Sequence, residues 1–173
     1  MGVVVFVAGC AGTGKSTLAD VLAARLNGVH LDFDDVSAGV VGEARTAHPQ
    51  LTEAQLLEQV KDARYQALHD AVSESGGGPT PIVVSAPFTS AAATADSWAR
   101  WVEDCPRWVL VWLDLDEGER ARRVLARGAE RDHGARPGAP ARPGVPHLAL
   151  DAALPPEQLA EAVLQAIRSS PGV

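Results

Sequence analysis

The stretch Val3-Val4-Val5-Phe6-Val7-Ala8-Gly9-Cys10-Ala11-Gly12-Thr13-Gly14-Lys15-Ser16-Thr17 decides how this chain is read. An apolar run leads straight into Gly9–Ser16, whose pattern is G-x-x-x-x-G-K-S. Behind it, Leu18, Val21, Leu22 and Leu26 recur at helical spacing. A buried strand, a glycine-rich turn and a helix, in that order, are the setting in which this pattern forms a phosphate-binding P-loop. Gly9, Gly12 and Gly14 let the backbone turn tightly and aim its N–H groups at an anion. The helix adds the positive end of its dipole. On this reading Gly9, Ala11, Gly12, Thr13, Gly14, Lys15, Ser16 and Thr17 surround the phosphates of a nucleotide. Lys15 reaches the β- and γ-phosphates, and Ser16 holds Mg²⁺.

Outward from this loop, apolar runs alternate with helical patterns. Further strands are predicted at 29–32, 81–86, 107–113 and 146–150. Helices are predicted at 16–27 with Gly28 as the stop, 52–73, 91–104, 116–127 and from Pro155 or Pro156 through 167. Thr52 and Gln55 have the spacing of a capping box. Strand–helix alternation builds a parallel sheet with helices on both faces. Ligands then gather at the carboxyl ends of the strands. That rule sends the P-loop, 32–35, 86–90, 114–116 and 151–155 to one rim. Residues 128–146 are rich in Gly, Pro and Arg and are expected to form a flexible lid.

The chain has 173 residues, 46% of them hydrophobic, enough for a single domain with a core. Its net charge of −7 disfavours a nucleic-acid partner. No run is long enough to span a membrane. Cys10 and Cys105 are too few for a disulfide framework, so both are read as reduced thiols of a cytoplasmic protein. Trp98, Trp101, Trp108 and Trp112 cluster late in the chain and are expected in the core. A monomer or homodimer suits these numbers equally.

The predicted second strand ends in Asp32-Phe33-Asp34-Asp35. Phosphoryl transfer to an alcohol needs cradled phosphates, a metal and a carboxylate that orients or deprotonates the acceptor. Asp32 is the candidate for Mg²⁺, and Asp34 for accepting the hydroxyl's proton. Asp35 is read as a cap of the following helix. A plain switch ATPase would carry Asp at the end of the third strand, where this chain has Ser85. Pro87 and Phe88 follow as a candidate acceptor wall. Arg127 and Arg131 are placed to meet the nucleotide, Arg127 beside the adenine or the phosphates and Arg131 in the lid, stabilising the transferring group. Pro155 is a candidate surface for the base. Arg64 and Tyr65, like Arg45 and His48, fall in the segment that would cover the acceptor.

These residues resemble the small P-loop kinases of the shikimate kinase and gluconate kinase type. The resemblance rests on Gly9–Thr17, Leu31–Asp34, Trp112–Asp116, Arg123–Gly128, Arg131-Asp132 and His147–Asp151. It implies a three-layer P-loop NTPase fold with a five-stranded parallel sheet of order 2-3-1-4-5. It also implies ATP- and Mg²⁺-dependent phosphorylation of a small hydroxylated molecule. In that scheme Asp32 is the metal-side carboxylate and Asp34 the acceptor-side one, with Arg127 by the adenine and Arg131 in the lid. The chain departs from shikimate kinases in having Ala86-Pro87-Phe88-Thr89 where they have a glycine-rich turn. It departs from gluconate kinases in its Arg-Pro-Gly lid, and looks closer to kinases that include antibiotic-modifying phosphotransferases. A nucleoside monophosphate kinase and a nucleotide-dependent switch ATPase stay open as alternatives.

Overall fold

A computed structural model gives the structure, which describes residues 2–127 and 142–169. Five parallel strands, β1 (Val4–Gly9), β2 (Val29–Asp32), β3 (Ile82–Ser85), β4 (Trp108–Asp114) and β5 (Leu148–Asp151), pair in the order β2-β3-β1-β4-β5. Strand β1 is central and wholly buried, as its unbroken apolar run requires. Its alternate side chains feed two cores. Val4, Phe6 and Ala8 join an aromatic core that contains Phe33, Phe88, Trp98, Trp101 and Trp112. Val5 and Val7 join an aliphatic core built with Leu18, Leu22, Leu159 and Val163.

The aliphatic core is closed by α1 (Lys15–Leu26) and α8 (Pro156–Ser169), and the aromatic core by α5 (Lys61–Gly76) and α6 (Ala95–Val102). Three-layer order and strand sequence are as expected. The tryptophans are core: Trp98, Trp101 and Trp112 are buried, with Trp108 packed against them.

Several boundaries move for identifiable reasons. Helix α1 ends on Asn27, in the left-handed region at φ 49°, rather than on Gly28. Gly28 N donates to Ala23 O at 2.9 Å, closing the helix in a Schellman-type turn. Glycine is needed at 28 because a Cβ there would sit 2.4 Å from Pro81 O. The predicted helix 52–73 is two helices, α4 (Glu53–Gln59) and α5, meeting at Val60. The split lets α4 turn Leu57 to the cleft described below while α5 sends Leu68 and Val72 to the sheet. The Thr52–Gln55 capping box is present. Two helices, α2 (Phe33–Val36) and α3 (Ala38–Ala47), occupy the stretch where a helix was expected after Asp35 without stated bounds. The predicted helix 91–104 is a 3₁₀ turn, Ala91–Ala93, followed by α6. Helix α7 runs Glu117–Arg127.

Candidate active site

The carboxyl ends of β1, β2 and β3 open on a cleft of about 510 Å³. Ala11, Gly12, Lys15 and Ser16 line one end, and Asp32, Phe33, Asp34, Ser85, Ala86 and Pro87 form its floor. Helices α3, α4 and α5 close the far end with Ala38, Val41, Gly42, Arg45, Glu53, Leu57 and Arg64.

The loop end has the backbone a phosphate cradle needs. Gly9, Gly12 and Gly14 take φ values of 142°, 83° and 85°, which only glycine adopts without cost. Gly9 is also crowded, since a Cβ would lie 2.9 Å from Leu113 O. Gly14 caps α1, so the helix dipole points into the loop. Thr13 is buried and donates its hydroxyl to Cys10 O at 2.9 Å. Lys15 Nζ donates to the same carbonyl at 2.7 Å. Thr17 is exposed on the first turn of α1.

Ser16 donates its hydroxyl to Asp32 Oδ2 at 2.7 Å, which joins the P-loop to the end of β2. A second hydroxyl, Ser85 Oγ, donates to the same oxygen at 2.7 Å. Ser85 is opposite Asp32 in the β2–β3 register, so the contact follows from the strand pairing. The Ser85 oxygen also meets His30 Nε2 at 2.8 Å, and His30 Nδ1 meets Asp20 Oδ1 at 2.7 Å. A spacing match underlies this chain of contacts. Ser16 and Asp20 are four residues apart on α1, a rise of about 6 Å. His30 and Asp32 are two apart on β2, about 6.6 Å. The two pairs therefore meet rung to rung.

Burial is the largest single influence on Asp32 and pushes its carboxyl up. The Ser16 and Ser85 hydroxyls, the Asp34 N–H and the nearby His30 together outweigh it and hold Asp32 below the usual carboxylate value. Asp32 is also the cap of α2, accepting from Asp34 N at 2.9 Å, so the capping role expected of Asp35 falls to Asp32. Asp35 itself is exposed.

Asp34 reaches into the cleft and is held by Arg64, whose Nη2 is 2.5 Å from Oδ1. Arg64 is buried, donates Nε to Ser37 Oγ at 2.9 Å and lies over the Phe33 ring, 4.2 Å from its centroid. Pro87 lines the cleft as expected, but Tyr65 and Phe88, also read as acceptor contacts, do not. Phe88 has no exposed surface and packs against Phe6, Trp98 and Trp101. It is held at a φ of 50°, a conformation a bulky side chain rarely adopts. Tyr65 packs at a tilt on Phe33 and meets the Trp101 ring edge-on. Burial pushes its hydroxyl up to about 12, against the opposing pull of a backbone hydrogen bond at Phe88 and of Arg64, so it stays protonated.

The carboxyl ends of β4 and β5 give the other half of the rim. Pro155 is exposed in the loop before α8. Arg123 is a strut: its Nε meets Glu119 Oε1 and its Nη1 donates to Ala152 O, each at 3.1 Å. Arg142 pairs with Asp114 at 2.8 Å, and Asp114 also accepts from Trp112 Nε1 at 2.9 Å. Gly144 N donates to Ala92 O at 2.9 Å and Val145 is buried, so this end of the stretch read as a lid is anchored. Arg131, the lid residues 128–141 and the side chain of Arg127 lie outside the described residues.

The residues present fit Mg²⁺ with a nucleoside triphosphate. No group of three or more metal-ligating side chains occurs among the described residues. One hydroxyl and one carboxylate beside a phosphate cradle is what Mg²⁺ takes, since it draws its remaining ligands from water and phosphate oxygens. The family model described as an AAA domain matches residues 4–141. The chain belongs to this AAA domain family. No curated protein matches the AAA domain chain by sequence. Solved structures do match its fold. The APS kinase of Mycobacterium tuberculosis, in complex with AMPPNP and APS, has a TM-score of 0.68 at 18% identity, covering 97% of this chain and 98% of that one. A gluconokinase from Sinorhizobium meliloti 1021 has a TM-score of 0.61 at 21% identity, covering 96% and 91%. Shikimate kinase from Aquifex aeolicus has a TM-score of 0.55 at 15% identity, covering 95% and 96%. The AAA domain chain therefore has the fold of these P-loop kinases. No helix among its described residues is long and apolar enough to cross a membrane.

Sequence reasoning did not name His30, Asp20, Ser37 or Glu53, and it read Ser85 only as a missing aspartate. The signal was present in the pairing of Ser16 and Asp20 with His30 and Asp32.

Proposed function

We propose that this protein is a phosphotransferase that moves the γ-phosphoryl group of ATP to a hydroxyl of a small molecule. The observation that carries the reading is the 2.7 Å bond from Ser16 to Asp32, with Asp34 two residues on along the floor of the same cleft. That arrangement supports reading Ser16 and Asp32 as a metal pair and Asp34 as the acceptor-side carboxylate.

Bound ATP with Mg²⁺ would supply the transferable phosphoryl group and a divalent charge. The chain's own residues do the rest. Gly9–Thr17 hold the phosphates by backbone N–H groups and the α1 dipole. Lys15 leaves Cys10 O to neutralise charge on the β- and γ-oxygens. Ser16 and Asp32 would hold the metal. Asp34, fixed by Arg64, would orient the acceptor hydroxyl and take its proton as the acceptor oxygen bonds the γ-phosphorus and the bond to the β,γ-bridging oxygen breaks, releasing ADP. Arg64 thus serves Asp34 and does not itself grip the acceptor. Arg131 is proposed to stabilise the transferring group, and Arg127 and Pro155 to flank the base. Similarity in fold to a gluconokinase, a shikimate kinase and an APS kinase supports the reaction class.

The test is ADP release with ATP and Mg²⁺ across a panel of hydroxylated acceptors, with product mass. Turnover that rises on one acceptor, with the mass gain of one phosphate, supports the reading. Slow hydrolysis that no acceptor alters supports a switch ATPase instead. Lys15→Ala should lose transfer by at least roughly 100-fold. Asp34→Asn should keep ATP binding and lose about 100- to 10,000-fold in kcat. An unchanged kcat in Asp34→Asn refutes its role as base.

A further inference from the structure

The far end of the cleft bears on what the acceptor is. Among the described residues its cations are Arg45 and Arg64, and each is already engaged. Arg64 is the more committed: Nη2 to Asp34, Nε to Ser37, and its flat face on Phe33. A guanidinium recognises a carboxylate or phosphate by offering a pair of open N–H groups. Arg64 is only 8% exposed and has no such fork to present. Arg45 is paired with Glu53 at the rim. Formal charges of these four side chains cancel. The cleft also has apolar lining residues, Ala38, Val41, Leu57, Ala86 and Pro87.

We infer that the acceptor is an uncharged alcohol with an apolar face, and that the closed pairs Arg64–Asp34 and Arg45–Glu53 select against acceptors bearing a carboxylate or phosphate. This inference rests on the kinase reading of the same cleft. A neutral alcohol gives its hydroxyl to Asp34 and its apolar face to Val41 and Leu57. An anionic acceptor meets no open guanidinium at Arg64 and must compete with Glu53 for Arg45. The same logic weakens the nucleoside monophosphate kinase reading, which needs arginines open to an acceptor phosphate. Arg100 does not line the cleft and is engaged with Gln66 and the Trp101 ring. A cationic acceptor is not favoured either, because Asp34 and Glu53 are held by the arginines.

The experiment compares matched acceptors that differ in one group, using the full chain with ATP and Mg²⁺. The pairs are 2-phenyl-1,3-propanediol with tropic acid, panthenol with pantothenate, and adenosine with AMP. Equilibrium binding of each probe to the protein loaded with AMP-PNP and Mg²⁺ is measured in parallel. The neutral member should win in kcat/KM by at least about tenfold in whichever pair turns over. Glu53→Gln releases Arg45 and should narrow that ratio by about tenfold, and thermal unfolding checks that the variant is folded. If it is not, the wild-type ratio alone decides. Preference for the anionic member by the wild type overturns the inference and leaves the kinase reading standing. No turnover of any member, with ATP bound, overturns the kinase reading and this inference with it.

Discussion

Removing one oxygen atom tests the site's internal support. Ser85→Ala deletes the hydroxyl that bridges Asp32 and His30, with contacts of 2.7 and 2.8 Å. A hydrogen bond to a charged acceptor contributes about 1.5–3 kcal/mol, and a neutral one about 0.5–1.5 kcal/mol. Asp32 keeps two donors, Ser16 Oγ and Asp34 N, so its loss falls at the low end of the first range. His30 Nε2 loses its partner where the side chain is 15% exposed, and little water reaches it. Together the change should cost roughly 2–3 kcal/mol of stability. Urea unfolding followed by tryptophan fluorescence reads that cost. A double-mutant cycle with His30→Ala should return a coupling of at least about 0.5 kcal/mol. Groups that orient a metal-ligating side chain are typically worth about 10- to 100-fold in metal affinity, so Mn²⁺ binding to the AMP-PNP-loaded variant should weaken by that factor. A loss of stability under about 0.5 kcal/mol, additive with His30→Ala and with unchanged Mn²⁺ binding, would refute the bridge.

Acid should weaken the fold through Asp32. Its folded value lies below the ordinary 3.8, so its contribution is complete above that value and is lost as pH falls through the lower folded one. Asp32→Asn should therefore show a smaller drop in urea midpoint between pH 5 and pH 2.5 than the wild type; an equal drop assigns acid sensitivity elsewhere. Gly28→Ala forces a Cβ to within 2.4 Å of Pro81 O and should cost about 1–3 kcal/mol, read as a fall in Tm. Gly39→Ala, in α3 with nothing within 4 Å, should instead raise stability by up to about 1 kcal/mol.

What the sequence made legible follows from where its periodicity was pure. Strand β1 and the P-loop have no competing reading, because an unbroken apolar run and glycines at positive φ leave one local structure. Strand order came with the family resemblance, and the register that sets Ser85 opposite Asp32 came only with the structure. A helix after Asp35 was expected, but the bounds of α3 escaped because it buries no residue and carries no core stripe to mark its ends. The roles of Tyr65 and Phe88 were misplaced because an aromatic residue beside a site is chemically ambiguous. Only packing tells the wall of a cleft from the core behind it. Arg64 was found as a site residue, but its partner is Asp34, thirty residues away, and no local spacing announces that pair.

Strand β2 lies at the edge of the sheet, pairs on one side only and is four residues long. Edge strands are where local opening is easiest. Asp32 ends this strand, so fraying of the edge would also undo the proposed metal site. Its side-chain ties to Ser16 and Ser85, with that of His30 to Asp20, act as stitches across a seam that backbone pairing closes on one side alone. Hydrogen exchange at the Leu31 and Asp32 amides should consequently slow when nucleotide and Mg²⁺ bind. It should slow there more than in β1, whose pairing on both sides needs no such support.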